Sequence, residues 1–190
     1  MLTNWGYEIT DKLPPIINAT EFDQLTGGVM SATTEQKTAM LEAVSSAIRD
    51  YCGWHVGPML ECDWVGEGEG RLVILPALNV TSINTLEIDG TPVDFEYKTQ
   101  GLVRLKRGAF PDSWQSVRCV YKAGYTVETL GEIVAQIASN ALVAAPGIAE
   151  EHVGSVGATY NRTGDGITGG VSILPRDLAL LTPYKLVRAW

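Results

Sequence analysis

The chain has 190 residues, 45% of them hydrophobic and 19% charged, with a net charge of −8. That length suits one domain, or one domain carrying an insertion, and the composition is ordinary for a globular protein. The acidic balance argues against a general nucleic-acid binder, which needs a basic footprint, and no run approaches the ~20 apolar residues of a membrane helix.

The opening residues carry neither a basic start nor an apolar run, so no export signal is expected. Cys52, Cys62 and Cys119 are an odd number with no C-x-x-C spacing, which predicts reduced, buried thiols in a cytosolic setting. Residues 1–32 read as an N-terminal arm with one short helix at 19–25, interrupted by Pro14-Pro15 and Gly27-Gly28. A long amphipathic helix follows at 34–52, with Met40, Val44, Ile48 and Tyr51 on one stripe. Thr33 and Gln36 occupy capping-box positions at its start, and Gly53 suits the left-handed residue beyond its last turn.

The pattern then changes to short runs rich in Val, Ile, Leu, Tyr and Trp. Strands are predicted at 61–65, 71–75, 80–89, 93–97, 102–105 and 117–122. Asp89-Gly90 is a hairpin turn of the type that needs positive φ at both central residues. Six short strands in series predict a small antiparallel sandwich or barrel-like sheet. A second long helix is expected at 128–145, its apolar face built from Leu130, Ile133, Val134, Ile137, Ala141 and Leu142, with the 34–52 helix as its natural partner. Pro146-Gly147 ends it.

The fold class is therefore α+β: a packed helix pair (33–60 and 124–148) with an inserted antiparallel β domain (61–123). Residues 149–173 form a glycine-rich loop or hairpin, and 174–190 a short helix, expected at 175–181, plus tail. Pro183 prevents that last helix from continuing, and the tail is apolar and basic at once.

Charge is unevenly spread. Residues 1–69 hold 11 acids against 3 bases, whereas 98–122 hold 6 bases against Asp112 alone. Either these are solvated surfaces, or they are complementary faces that meet between subunits.

No constellation of side chains predicts catalysis, a metal or a cofactor. Gly164-Asp165-Gly166-Ile167-Thr168-Gly169 matches G-x-G-x-x-G, but no strand precedes it, no helix follows, and no parallel βαβ unit surrounds it. In Gly66-Glu67-Gly68-Glu69-Gly70 the carboxylates would repel a phosphate, and a glycine-rich hairpin tip is the better reading. The histidines are His55 and His152; of the possible metal ligands only Glu150, Glu151 and His152 cluster, and adjacent residues in a loop rarely converge on one ion. Cys52 sits at a helix's negative end, which opposes thiolate formation. No G-x-S-x-G elbow is present. An enzyme is not expected.

One resemblance covers most of the chain. It rests on Leu13-Pro14-Pro15, Glu21-Phe22, Leu25-Thr26-Gly27-Gly28 and Ala47-Ile48-Arg49-Asp50-Tyr51-Cys52-Gly53-Trp54-His55 in that order. Leu75-Pro76-Ala77, Val80-Thr81-Ser82-Ile83, Val120-Tyr121-Lys122-Ala123-Gly124-Tyr125 and Leu180-Leu181-Thr182-Pro183-Tyr184-Lys185-Leu186 follow. In these segments the chain resembles the head–tail connector (adaptor) proteins of long-tailed bacteriophages, with Gly131 departing from a good helix former. The resemblance implies a virion protein made in the host cytoplasm, assembled as a homo-oligomeric, usually twelve-membered ring in the capsid–tail neck. Its partners would be the portal protein above and a stopper or tail-terminator protein below. Genomic DNA would pass through the lumen without sequence-specific binding.

On that expectation Arg176, Tyr184, Lys185, Leu186, Val187, Arg188 and Trp190 form the portal-docking set. Lys98, Arg104, Lys106, Arg107, Tyr160 and Arg162 would meet a neighbouring subunit or the next connector. The rival from another class is a ligand- or carbohydrate-binding β module using Trp54, Trp64 and Trp114.

Overall fold

The computed structural model of the protein describes residues 2–9, 12–143, 150–153, 156–159 and 173–187, without the side chains of 143, 150–153 and 156–159. The architecture is α+β, and the chain divides into two compact units. One comprises the described residues of Met1–Pro14, Cys52–Thr126 and Tyr184–Trp190; the other, those of Pro15–Tyr51 and Val127–Pro183.

The first unit is built on an antiparallel sheet of five strands. In chain order they are β1 (Tyr7–Ile9), β2 (Leu60–Gly66), β4 (Val80–Ile88), β5 (Thr91–Pro92) and β8 (Val117–Ala123), and they lie in the order β1-β2-β8-β4-β5. A second, three-stranded antiparallel sheet has the order β3-β7-β6, from β3 (Leu72–Ile74), β6 (Phe95–Tyr97) and β7 (Leu102–Leu105). The expected strands all form, shortened or lengthened by a few residues.

Strand β1 was not expected. Its three residues are too few to show a period, and they pair with β2 through Tyr7 opposite Trp64 and Ile9 opposite Cys62. The anticipated turn forms, with Asp89 at φ 49° and Gly90 at φ 76°, but it leads into the two-residue β5, also not expected, while the run predicted at 93–97 becomes β6 of the other sheet. Alternation sorts β8 cleanly: Val117, Cys119, Tyr121 and Ala123 are buried, while Arg118 and Lys122 are exposed.

Beneath that sheet lies the corner Trp54-His55-Val56, all three residues fully buried. The Tyr7 hydroxyl donates to His55 Nδ1 at 2.7 Å and accepts from the His55 backbone N–H at 3.1 Å. His55 Nε2 lies 2.9 Å from the Ala123 carbonyl, which can only accept. The ring is therefore the Nε2–H tautomer, with both nitrogens satisfied. Val56, a β-branched residue at φ 58°, holds a strained turn here, and its carbonyl accepts from Tyr125 N–H at 2.7 Å.

The second unit is helical: α1 (Ala19–Thr26), α2 (Thr34–Cys52, whose last residue belongs to the first unit), α3 (Val127–Val143) and α4 (Pro175–Leu181), with the hairpin β9 (Glu150–Val153) and β10 (Val156–Thr159). Asn18 caps α1 in a reciprocal capping box with Glu21. The predicted box at α2 also forms: Thr33 Oγ1 accepts from Gln36 N–H at 3.3 Å, and Gln36 Oε1 from Thr33 N–H at 2.9 Å. Phe22, Leu41, Val44, Ile48, Leu130, Val134 and Ile137 are buried.

At the level of the backbone α3 packs more extensively against α1 than against α2. Gly131 lies at this contact: a Cβ there would stand 2.9 Å from Leu25 Cδ1 and 3.0 Å from Val127 Cγ1, so those two side-chain ends would have to shift to admit it.

Candidate assembly surfaces

The C-terminal segment is tied to its own chain through Tyr184 and Leu186. After α4 a single 3-10 turn, Thr182–Tyr184, leads out of the helical unit, where the Tyr51 hydroxyl shares a hydrogen bond with Thr182 Oγ1 at 3.2 Å. In the sheet unit the Trp54 indole N–H donates to the Tyr184 carbonyl at 2.7 Å. The Tyr184 ring meets Tyr125 edge-on with centroids 4.9 Å apart, and Tyr125 in turn meets Trp54 at 6.0 Å. Leu186 N–H donates to the Cys52 carbonyl at 2.8 Å, satisfying one of the carbonyls that a helix leaves open at its C-terminus.

Of the expected portal-docking set, Lys185 and Val187 are the exposed members here, Val187 at 86%. Arg176 is exposed too, with its Nε 3.5 Å from the buried Asp177 carboxylate. Arg188 and Trp190 lie outside the described residues.

The basic residues of the β segment fall on two different surfaces. Arg118 is on the five-stranded sheet and is already answered, bidentate to Asp63 at 3.0 and 2.7 Å and 3.8 Å from Glu87. The Asp63 hydrogen bond raises its pKa further. Lys98 and Arg104 instead line a concavity of about 600 Å³ on the three-stranded sheet, with Arg71, Leu72, Tyr97 and Leu102. Arg104 lies 3.7 Å from Glu96, both more than half exposed, so the pair is weak. Arg71 is anchored by donating to the Leu105 carbonyl at 2.6 Å and to the Lys106 carbonyl. Lys106 and Arg107 are exposed just beyond β7. Tyr160 and Arg162, predicted with this group, lie outside the described residues.

The other candidates resolve into packing. Burial pushes the thiols of Cys52, Cys62 and Cys119 up to about 12, the opposite of nucleophile activation. Gly66 and Gly68 make room for rings: a Cβ would fall 2.1 Å from Trp64 Cζ2 at the first and 2.3 Å from Phe110 Cγ at the second. Trp54 is fully buried and hydrogen-bonded, so it cannot stack on a ligand; Trp114, by contrast, is 81% exposed. No cluster of metal-ligating side chains occurs among the described residues. No described helix is long and apolar enough to cross a membrane. The G-x-G-x-x-G match at 164–169 lies outside the described residues, and so does the side chain of His152.

With this geometry in hand, the fold has clear counterparts among solved structures. It is the fold of chains in the neck of a phage-like particle. A chain in the neck of an empty gene transfer agent particle computed with C6 symmetry aligns with TM-score 0.61 and 16% identity, over 97% of each chain. One in the neck of the native particle computed with C12 symmetry gives 0.56 and 14%, and one in the virion of the native particle 0.61 and 15%, again over 97% of each chain. No family model and no curated protein matches the sequence.

Proposed function

We propose that this protein is a structural component of the neck of a phage-like virion: a head-to-tail connector subunit whose homo-oligomeric ring sits beneath the portal, extends the DNA channel and joins capsid to tail. The observation that carries this reading is the fold match over 97% of both chains to neck structures computed with sixfold and twelvefold symmetry. The charge balance of the chain supports it. A net charge of −8 suits a channel lining that lets DNA pass, because holding phosphates depends on Lys and Arg.

The portal is contacted by the C-terminal segment, for which the exposed Lys185 and Val187 and the residues after them are the candidates, together with Arg176. The opposite rim receives a stopper or tail-terminator protein. The test is electron microscopy of the purified protein, alone and mixed with the portal protein of the same particle. Rings stacked on the portal are expected. Subunits that remain monomeric at saturating portal concentration refute the connector role.

A further inference from the structure

One large apolar side chain stands almost free of the protein. Trp114 is 81% exposed, on the loop 106–116 that joins β7 to β8. The loop is fixed on both sides of it. Before it, Phe110 is buried and its N–H donates to the Gly70 carbonyl at 2.7 Å. After it, the Ser116 hydroxyl donates to the Ser113 carbonyl at 3.1 Å, and the Ser116 carbonyl accepts from Asp89 N–H at 2.9 Å. Gln115 holds φ 54°, a conformation that costs a residue bearing a Cβ. An indole held in water by a fixed, strained turn marks a surface that is covered in use.

Beside Trp114 lies a concavity of about 550 Å³, with Gln115, Leu2 and Val65 among its walls. Leu2 is 66% exposed and Val65 45%. The charges here are mostly acidic. Glu8, Asp63 and Arg118 line the concavity, and Glu87 reaches Arg118. Asp89 is bonded to Ser116, Asp112 lies two residues before Trp114, and Glu67 follows the Gly66–Val117 pair. Arg118, the one base, is already shared by Asp63 and Glu87. Glu8, Glu67, Asp89 and Asp112 form no ion pair among the described residues. The loop's own cations, Lys106 and Arg107, stand at its other end, where Lys106 N–H meets the Asp94 carbonyl at 3.0 Å.

We infer that Trp114 and this concavity receive a segment of the neighbouring neck protein on the tail side, one in which Arg or Lys accompanies an apolar side chain. The inference rests on the connector reading above, in which the C-terminal segment is the candidate for the portal, and it gives the chemistry of the other partner. The indole face takes the cation, Leu2 and Val65 take the apolar side chain, and the four acids without a base fix the partner's sign. The same acids turn away DNA, whose phosphates need Lys and Arg. Tryptophan is among the residue types that dominate interface energies.

Two measurements test it on the full chain, and the first needs no ring. The protein is titrated with a short peptide alternating Arg and Leu, and in parallel with one alternating Glu and Leu, a single-stranded DNA oligonucleotide and a cello-oligosaccharide. The Arg–Leu peptide should bind about tenfold more tightly than any of the others, and Trp114→Ser or Asp112→Lys should weaken it about tenfold at an unchanged melting temperature. In the second, Trp114→Ser subunits should still form rings on portal-bearing capsids, while tailed particles fall about tenfold. Equal binding of the two peptides, tighter binding of the DNA or the sugar, or unchanged affinity in Trp114→Ser overturns the inference. So does normal tail joining, or a loss of rings, which would place Trp114 between copies of this chain. A wild-type protein that forms no ring on the portal overturns the connector reading, while the peptide titration still decides this contact.

Discussion

Tyr7 and His55 show how far a single hydroxyl reaches in this protein. The Tyr7 oxygen donates to one histidine nitrogen and accepts from the histidine's own backbone N–H, all of it buried. Tyr7→Phe therefore strands an acceptor and a donor without much changing the packing. The expected loss is about 1–3 kcal/mol, read as a lower urea midpoint with unchanged slope. The three thiols give a second test at this scale. Their pKa values rise from the ordinary 9.0 to about 12 because the folded state desolvates them. A raised pKa on an acid means its stabilising effect is complete below pH 9 and lost as pH climbs toward 12. Unfolding on alkaline titration should set in across that window, and thiol reagents at pH 8 should label the native protein only after denaturant is added.

At the scale of elements, the 3-10 turn and the residues after it serve the fold before they can serve a partner. Deleting 182–190 removes the acceptor of the Trp54 indole, the ring that covers Tyr125 and the donor to the Cys52 carbonyl. The expected result is a clearly lower melting temperature with a red-shifted tryptophan emission. Deleting only 187–190 leaves those contacts intact and should preserve both readouts while abolishing attachment to portal-bearing capsids. Helices α2 and α4 were legible to the residue, because capping residues and prolines punctuate them in sequence. The two-residue turn at Asp89-Gly90 was equally plain. Strand β1 was not, since three residues acquire strand character only from β2 beside them. Nor was the role of Gly131, because a glycine inside a helical pattern reads as a weakness until the helix pressed against it is known.

For the molecule as a whole, the class of fold could be read from the switch between helical and strand periods, but the surfaces could not. Ile74 and Val73 are adjacent aliphatic residues in one strand, and only the sheet decides that one is core and the other outward. Likewise the basic run 98–122 looked uniform, yet Arg118 is spent on Asp63 and Glu87 while Lys98 and Arg104 remain at an exposed rim. If that rim meets acids of a neighbour, assembly must weaken with salt, because screening shortens from roughly 8 Å at physiological ionic strength to about 3 Å at 1 M. Sedimentation of portal-templated rings across that range should show progressive release of subunits. Rings indifferent to salt would exclude charge pairing as the source of their cohesion.

The chain passes between its two units four times, at Pro14/Pro15, Tyr51/Cys52, Thr126/Val127 and Pro183/Tyr184, so neither is a continuous piece of polypeptide. During translation, Trp54 is made 130 residues before the carbonyl that takes its N–H. A nascent chain can lay down its strands, but it cannot close the sheet unit until the ribosome has released Tyr184. Completion of that unit therefore waits on synthesis through Tyr184. Chains cut short before Tyr184 should be more sensitive to proteases than the 190-residue chain.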